Sequence, residues 1–596
     1  MSLFFTKLLK ISFHSRRVRR VVLFVLVGAM SGLLAVAYSA VLDFLSHLAQ
    51  SGLLGLAEHA GQAPAGLGRA WVLPLMTTFV GALTGFLISR LAPETSQAGT
   101  DGTDAMIKAF HQAEGRIRPR AAILRTATSI LTLASGGSAG KEGPVAFMGA
   151  GFGSWLSETL KLSDRERRIL LLAGAAGGLG AIFRSPLGGA MTAVEVLYAE
   201  DFEGEALLPA IISSVTAYMV CTLFFGAEPL LAVPDLRPGA IREAPFYLLL
   251  ALACAGSAWL YVKGFFFIKY GIFKKLQAKY GLALTTALGG LAMGLVGMAN
   301  PGLLGSSQSS LELVLLGQVP LMAVLALLLG KILATSLTIG SGFSGGMFAP
   351  GLFVGAMTGS LVGKLCHMLR PELTASQGSF VLVGMSAFFA CAANAPVGPL
   401  IMVCEISQGY VLLAPLMLCT AVALTLSGKF CLYENQLRAK VNSPAHRGES
   451  AVAALRQLKV ADVYRPGRLA VLEASTTLGA LSDIIAGTEA LSFPVRSTTG
   501  SITGLVTLED VRRVIFENAL YQLVVVGDLV RPAVLLRPDQ DLHQALMAFI
   551  EARADELPVV DSQDPDKVLG SLTMHALLAI QRGTRQPGAE LIPKRG

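Results

Sequence analysis

Between residues 21 and 430 the chain is a succession of apolar runs joined by short polar connections. A helix needs about 20 apolar residues to cross the hydrocarbon of a bilayer. Runs near 21–45, 71–91, 206–226, 245–268, 281–299, 318–340, 378–404 and 410–428 reach roughly that length, and predict membrane-spanning helices. Two others, 121–135 and 145–160, are too short and are interrupted or flanked by glycine. They predict helices that stop partway through the membrane, where the free backbone groups must line a cavity or be buried in protein. Beyond residue 450 the pattern changes. Charge rises to ordinary levels, and short β-rich runs such as Leu523-Val524-Val525-Val526 predict a soluble α/β region.

Composition supports this division. Hydrophobic residues make up 53% of the chain and charged residues only 15%, against about 25% charged in soluble domains; mean hydropathy is +0.60. This argues against a soluble enzyme with an enlarged core. The net charge of +8 would suggest nucleic acid on a soluble protein. Here the basic residues stand beside apolar runs: Arg16, Arg17, Arg19 and Arg20 before the first, Arg116, Arg118 and Arg120 farther on, then Arg165, Arg167 and Arg168. Such clusters mark cytoplasmic flanks, so no nucleic-acid partner is inferred. The first apolar run is too long for a signal-peptide core, and reads as a membrane segment with the N-terminus in the cytoplasm. The seven cysteines form no CxxC pair and read as small buried hydrophobes. His111, His367 and the other histidines show no metal-binding spacing. There is no nucleophile–base constellation and no Walker-type phosphate loop, so an enzyme is not expected.

The chain also repeats itself. Residues 140–154, GKEGPVAFMGAGFGS, align without gaps on 346–360, GMFAPGLFVGAMTGS, with seven of fifteen positions identical. Residues 174–196 align on 384–406, so that Pro186 meets Pro396 and Glu195 meets Glu405. Offsets of 206 and 210 imply a duplicated unit, and such repeats place substrate sites near the bilayer midplane where broken helices meet. In the tail, Ala461–Pro466 matches Gly527–Pro532, and Gly504–Thr507 matches Gly570–Thr573, both at an offset of 66. This predicts a tandem of two units of roughly 60 residues.

Glu142 is a carboxylate inside an apolar, glycine-rich segment, which is costly and a functional candidate by default; pairing with Lys141 is the plain alternative. The motifs around it carry a family resemblance. GKEGP at 140–144 and GMFAP at 346–350 resemble the GK/REGP and GxFxP signatures of the CLC chloride channels and proton-coupled chloride transporters. Tyr433, in LYENQL, matches the family's pore tyrosine, and the tail resembles a pair of CBS domains. The resemblance covers about residues 20–590. It implies an all-α polytopic membrane domain with an inverted repeat and broken helices, followed by a soluble α/β CBS tandem. It implies a homodimer with one pore per subunit in a cell (inner or plasma) membrane, the tail cytoplasmic, chloride or another small anion as ligand, and no required cofactor. It assigns anion binding to Gly140, Lys141, Gly143, Met347, Phe348 and Tyr433, and makes Glu142 a gate that blocks the path when ionised and leaves it when protonated. Free backbone amides at helix N-termini suit this task, because they hold an anion without a full cation that would trap it. Without that motif context, Tyr433 reads first as an interfacial tyrosine.

Two departures from the family pattern bear on function. The family's exchangers carry a proton-relaying glutamate just after the position of Glu195; here it is Val196, which cannot carry a proton. That favours a channel or uncoupled anion transporter, with a chloride–proton antiporter as the alternative. The family's GSGIP signature, whose serine coordinates the central anion, corresponds to Thr100-Asp101-Gly102-Thr103-Asp104, with Asp101 at the serine. Asp101 either faces the anion or caps a helix, and Thr100 or Thr103 then supplies a hydroxyl. In the tail, Thr507-Leu508-Glu509-Asp510 resembles the T/SxxD signature that holds an adenine nucleotide's ribose and phosphate in some CBS domains; Thr507 and Asp510 read equally as a helix cap. The expected organisation is a basic N-terminus at 1–20, a pore domain at 21–440, a linker at 441–455, CBS units at 456–518 and 519–585, and a tail at 586–596.

Overall fold

A computed structural model describes residues 16–49, 70–97, 99–231, 233, 243–371, 377–428, 430–446, 455–467, 469–512, 514, 516 and 521–581. Most of the predicted N-terminal stretch 1–20 and most of the linker 441–455 lie outside them, as does the tail 586–596. The chain divides into two compact units between Ala445 and His446.

The first unit is helical. In order its helices are α1 (Arg16–Ser46), α2 (Val72–Leu91), α3 (Gly102–Gln112), α4 (Pro119–Ala134), α5 (Glu142–Thr159), α6 (Asp164–Ile182), α7 (Pro186–Glu195), α8 (Gly204–Phe225), α9 (Ala244–Phe266), α10 (Lys274–Tyr280), α11 (Leu282–Ala299), α12 (Gln308–Leu315), α13 (Leu321–Gly340), α14 (Phe348–Leu369), α15 (Gln377–Ala393), α16 (Val397–Ser407) and α17 (Leu413–Leu426). A π-helical turn, Phe267–Phe273, joins α9 to α10. Among the described residues, seven helices are long and apolar enough to cross a membrane.

The two short runs are short helices, as their lengths require. The 16 residues of α4 rise about 24 Å, less than the roughly 30 Å of hydrocarbon. Two expected spans fail. The run 410–428 yields only the 14 residues of α17, short of a full crossing. The run 378–404 is two helices, α15 and α16, because Asn394 turns left-handed (φ 50°) and Pro396 offers no N–H to continue the first. Conversely, α14 reaches 22 residues, a span concealed in the sequence by its glycine-rich opening.

The duplication extends to side-chain-free crossings. A Cβ on Gly149 of α5 would stand 2.1 Å from the Gly174 carbonyl of α6, and one on Gly174 would stand 2.1 Å from that of Gly149. In the second half Gly355 and Gly384 meet in the same way, at 2.6 and 2.5 Å. Helices in lipid associate through such close backbone approach. The halves are also tied reciprocally. Glu195, ending α7, accepts from the amides of Val397 and Gly398 at the start of α16 (2.9 and 2.7 Å). Glu405, near the end of α16, accepts from Ser185 Oγ and the amides of Leu187 and Gly188 at the start of α7 (2.5, 3.2 and 2.9 Å). Each carboxylate meets the positive end of the other helix.

The second unit is α/β. Strands β2 (Leu472–Glu473), β3 (Ser492–Arg496), β4 (Ile502–Thr507) and β5 (Arg531–Pro532) form one sheet in that order. Strands β1 (Arg465–Pro466), β7 (Val568–Thr573) and β6 (Glu556–Val560) form the other. The repeated Arg-Pro pairs are β1 and β5, and each lies on the sheet built mainly by the other repeat. Helices α18 (Leu478–Ala486), α19 (Leu508–Arg512), α20 (Leu542–Ala552) and α21 (Met574–Gln581) cover the sheets. Leu523–Val526 is not a strand. Val525 makes a lone bridge to Thr477, and Val526 opens a 3-10 turn whose side chain fills the core beside Leu478 and Phe493.

Gly149→Val should destabilise the first unit by about 1–3 kcal/mol through overpacking, whereas Gly256→Val, at a position with nothing within 4 Å, should be tolerated. Thermal loss of the monodisperse peak in detergent compares the two.

Candidate functional site

The two repeated motifs meet. Gly140 and Gly346 exchange backbone hydrogen bonds of 2.7 Å in each direction, an isolated antiparallel bridge. From this point α5 begins at Glu142 and α14 at Phe348, so two helix N-termini start at one buried place. The packing there leaves no room for side chains. A Cβ on Gly143 would be 3.1 Å from Gly346 Cα, and one on Gly102 would be 2.3 Å from the Gly143 carbonyl.

Two carboxylates occupy this junction. Glu142 is buried (2% exposed) and folds back over Gly140, where a Cβ would touch its Oε2 at 2.1 Å. It points toward the amide of Ala349 in the first turn of α14, and its Oε2 has no hydrogen-bond partner. Asp101 is equally buried. Its Oδ1 accepts from the Asp104 amide (3.0 Å) and caps α3, while its Oδ2 accepts from the Met347 amide (3.0 Å). The two alternatives for Asp101 are therefore joined in one side chain: it caps α3 and it lies on an amide of the GMFAP motif.

The remaining predicted residues gather nearby. Tyr433 is wholly buried and its phenol oxygen has no hydrogen-bond partner. Met347 is the residue preceding α14, and Phe348 packs against Phe389 and Phe183, with ring centroids 4.0 and 5.0 Å away. Lys141 precedes α5. The Thr100 hydroxyl donates to the Leu432 carbonyl (3.1 Å) and so is engaged with the backbone beside Tyr433. Thr103 is buried in the first turn of α3. Val196 is buried, and its carbonyl accepts from Gln436 Nε2 at 3.1 Å.

Three charged residues not singled out in the sequence shape the site. Asp104 accepts from the amides of Thr100 (2.6 Å), Glu434 (3.2 Å) and Asn435 (2.9 Å), and so fixes the Tyr433 segment to the start of α3. Arg125, on α4, is 7% exposed; its guanidinium lies 5.6 Å from the Phe147 ring centroid and its Nη1 has no partner. Lys331, on α13, is fully buried. It donates to the Leu303 and Gly305 carbonyls and to Ser307 Oγ (3.3, 2.8 and 2.8 Å), over the ring of Phe353. Arg125 and Lys331 are charges inside apolar runs, the same signal that marks Glu142.

A cavity of about 560 Å³ reaches this region. It is lined by Thr95, Gly99, Thr100 and Arg125, by Lys269, Tyr270 and Lys274 from the π-turn and α10, and by Gly342, Phe343, Ser344 and Glu434. Lys269 pairs with Glu434 at 2.8 Å, and the Tyr270 hydroxyl donates to the same oxygen. Among the described residues no cluster of His, Cys, Asp and Glu could hold a metal. His111 is a satisfied core residue, with Nδ1 2.8 Å from Ser443 Oγ and Nε2 3.2 Å from the Leu197 carbonyl.

In the tail, Asp510 Oδ2 accepts from the Thr507 amide and hydroxyl (3.1 and 2.7 Å), and Oδ1 pairs with Arg531. In the second repeat Ala576 stands in place of Asp510, and its amide donates to Thr573 Oγ1 at 3.3 Å.

The family model described as voltage gated chloride channel matches residues 80–428, and the CBS domain model matches 526–583. An uncharacterized protein of Methanocaldococcus jannaschii is 31% identical over 305 residues, covering 51% of this chain and 74% of that protein. A Yersinia pseudotuberculosis protein described as an H(+)/Cl(-) exchange transporter is 29% identical over 415 residues, covering 68% and 83%. The structure of a slow cyanobacterial Cl−/H+ antiporter superposes with a TM-score of 0.60 at 21% identity, covering 70% of this chain and 95% of the other. That of a CLC-type fluoride/proton antiporter superposes with a TM-score of 0.61 at 21% identity, covering 72% and 100%. At these identities the structural likeness is one of fold.

Asp104→Ala removes the acceptor of three backbone amides, that of Thr100 buried and those of Glu434 and Asn435 partly so. It should cost about 1–3 kcal/mol or more in stability and raise hydrogen exchange at Glu434 and Asn435, read by mass spectrometry.

Proposed function

This chain belongs to the voltage gated chloride channel (CLC) family, and we propose that it passes small anions along the N-terminus of α14 with Glu142 as the gate. The observation that carries the reading is the meeting of two helix N-termini at the Gly140–Gly346 bridge, with the Glu142 carboxylate folded between them. Converging amides stabilise negative charge, and Glu142 is a negative charge on a movable arm. Ionised, it competes with a free anion for the first turn of α14. Protonated, it loses that attraction and yields the place. The unpartnered Tyr433 phenol then donates to the passing anion, and the cavity lined by Arg125, Lys269 and Lys274 gathers anions at the other end. The chain is a multi-pass membrane protein; the basic flanks favour a cytoplasmic tail, and we expect a pair of such chains with a path in each.

The finer reading is a channel or uncoupled transporter, because Val196 supplies no proton-carrying group where the family's exchangers have one. A second reading, proton-coupled exchange, draws support from the relative described as an exchange transporter. Proton movement during an imposed chloride gradient across proteoliposomes separates the two: stoichiometric proton pumping selects exchange, and its absence selects conduction.

Glu142→Ala or Glu142→Gln should raise chloride flux at neutral pH and weaken its pH dependence in proteoliposomes; flux with unaltered level and pH dependence would sink the gate assignment. For the tail we propose that Thr507 and Asp510 act as a helix cap. ATP or AMP should then leave the thermal unfolding of the full chain unchanged, whereas a rise in Tm that Asp510→Ala abolishes would instead select a nucleotide site.

A further inference from the structure

The two carboxylates at the start of α14 are held differently. Glu142 has an oxygen without a partner, whereas Asp101 is bonded at both ends. Its Oδ2 lies 3.0 Å from the Met347 amide. A free amide at a helix N-terminus is the kind of donor that takes an anion, and one N–H cannot serve a carboxylate and an anion together. A Cβ on Gly143 would already be 3.3 Å from Oδ2, so Gly143 packs closely against this carboxylate. Asp101 thus covers with its own charge a backbone donor at the start of α14 that an anion would otherwise use.

We propose that Asp101 is a second gate, on the cavity side of Glu142, whose carboxylate occupies the anion position at Met347 until it is protonated. The proposal rests on the transport reading above and adds to it a second protonated group in series. The step is a simple exchange. A proton from water adds to Oδ2, the neutral carboxyl keeps the α3 cap through its other oxygen, and the Met347 amide passes to the anion. When the anion leaves, the proton returns to water and the carboxylate returns to the amide.

An independent observation points the same way. Arg125 lines the cavity, is 7% exposed, and carries an Nη1 with no partner. Its charge acts on Asp101 and Asp104, and Asp104 is already engaged with three backbone amides. A buried guanidinium that lines the cavity and keeps one nitrogen unpartnered retains donor capacity for an anion. The other ionisable groups facing Asp101 are Glu142 on α5, Tyr261 on α9 and Tyr433. Like charges on Asp101 and Glu142 repel, so proton uptake at one eases occupancy at the other.

The test is chloride flux from proteoliposomes at symmetric pH between 7 and 4.5, with the unmodified chain, Asp101→Ser, Asp101→Asn, Glu142→Ala and the double variant D101S/E142A. Serine and asparagine both retain an N-cap acceptor for α3. Two protons in series should give the unmodified chain a rise approaching roughly a hundredfold per pH unit on its steep limb, and each single variant about tenfold, as one bound proton dictates. The double variant should show no pH dependence. Retention of the full slope by both Asp101 variants overturns the second gate and leaves the Glu142 reading standing. Flux no greater than that of protein-free vesicles from the unmodified chain overturns the transport reading, and the second gate with it.

Discussion

Two hydrogen bonds of 2.7 Å between Gly140 and Gly346 close the backbone where both halves of the membrane unit cease to be helical. In lipid, an open N–H or carbonyl costs several kcal/mol, so a chain that breaks its helices at mid-depth must pair the broken ends. Here it pairs them with each other. The bridge leaves the first amides of α5 and α14 directed at one buried place, and it demands glycine, because nothing larger fits between the strands of the bridge and their neighbours. The polar site is thus a product of the way the fold satisfies its own backbone. Charge then follows geometry: Glu142 and Asp101 go to the positive ends of helices that have no other acceptor.

Much of this could be read from the chain. The offset of 206 between GKEGP and GMFAP, and of 210 in the following segments, describes a duplication that the structure repeats down to matching glycine crossings, Gly149 with Gly174 and Gly355 with Gly384. Glu142 was visible because a carboxylate in an apolar run is conspicuous. Arg125 and Lys331 carry the same signal more weakly, since a long basic side chain near a helix end is ordinarily read as reaching for water. Asp104 was not legible. Its task is to collect the amides of Glu434 and Asn435, 330 and 331 residues away, and no local pattern encodes so distant a set of partners. The run 378–404 misled because hydropathy counts residues and not hydrogen bonds; one left-handed asparagine and one proline divide it. Leu523–Val526 misled because β-branched residues fill a core as well from a turn as from a strand.

Asp101 shows why a choice between two roles can be a false one. A carboxylate has two oxygens, and here one caps α3 while the other lies on Met347. Asp510 in the tail uses the same two-handed chemistry for a local end, with Thr507 on one oxygen and Arg531 on the other. The difference lies in the surroundings. Asp510 faces a paired, partly exposed arginine, whereas Asp101 faces an amide at the junction of two broken helices.

The reciprocal capping of α7 and α16 has a consequence for how the protein is made. Gly188 and its partner Glu405 are separated by 217 residues, and Gly140 waits for Gly346 across a similar distance. At a synthesis rate of about 5–20 residues per second, the first half spends roughly 10–40 s in the membrane before its partner emerges from the ribosome. For that interval the start of α7 and the backbone of Gly140 lack their final acceptors. The nascent first half must therefore be shielded by the translocon, by lipid headgroups or by transient water, and it matures only as a half of something larger.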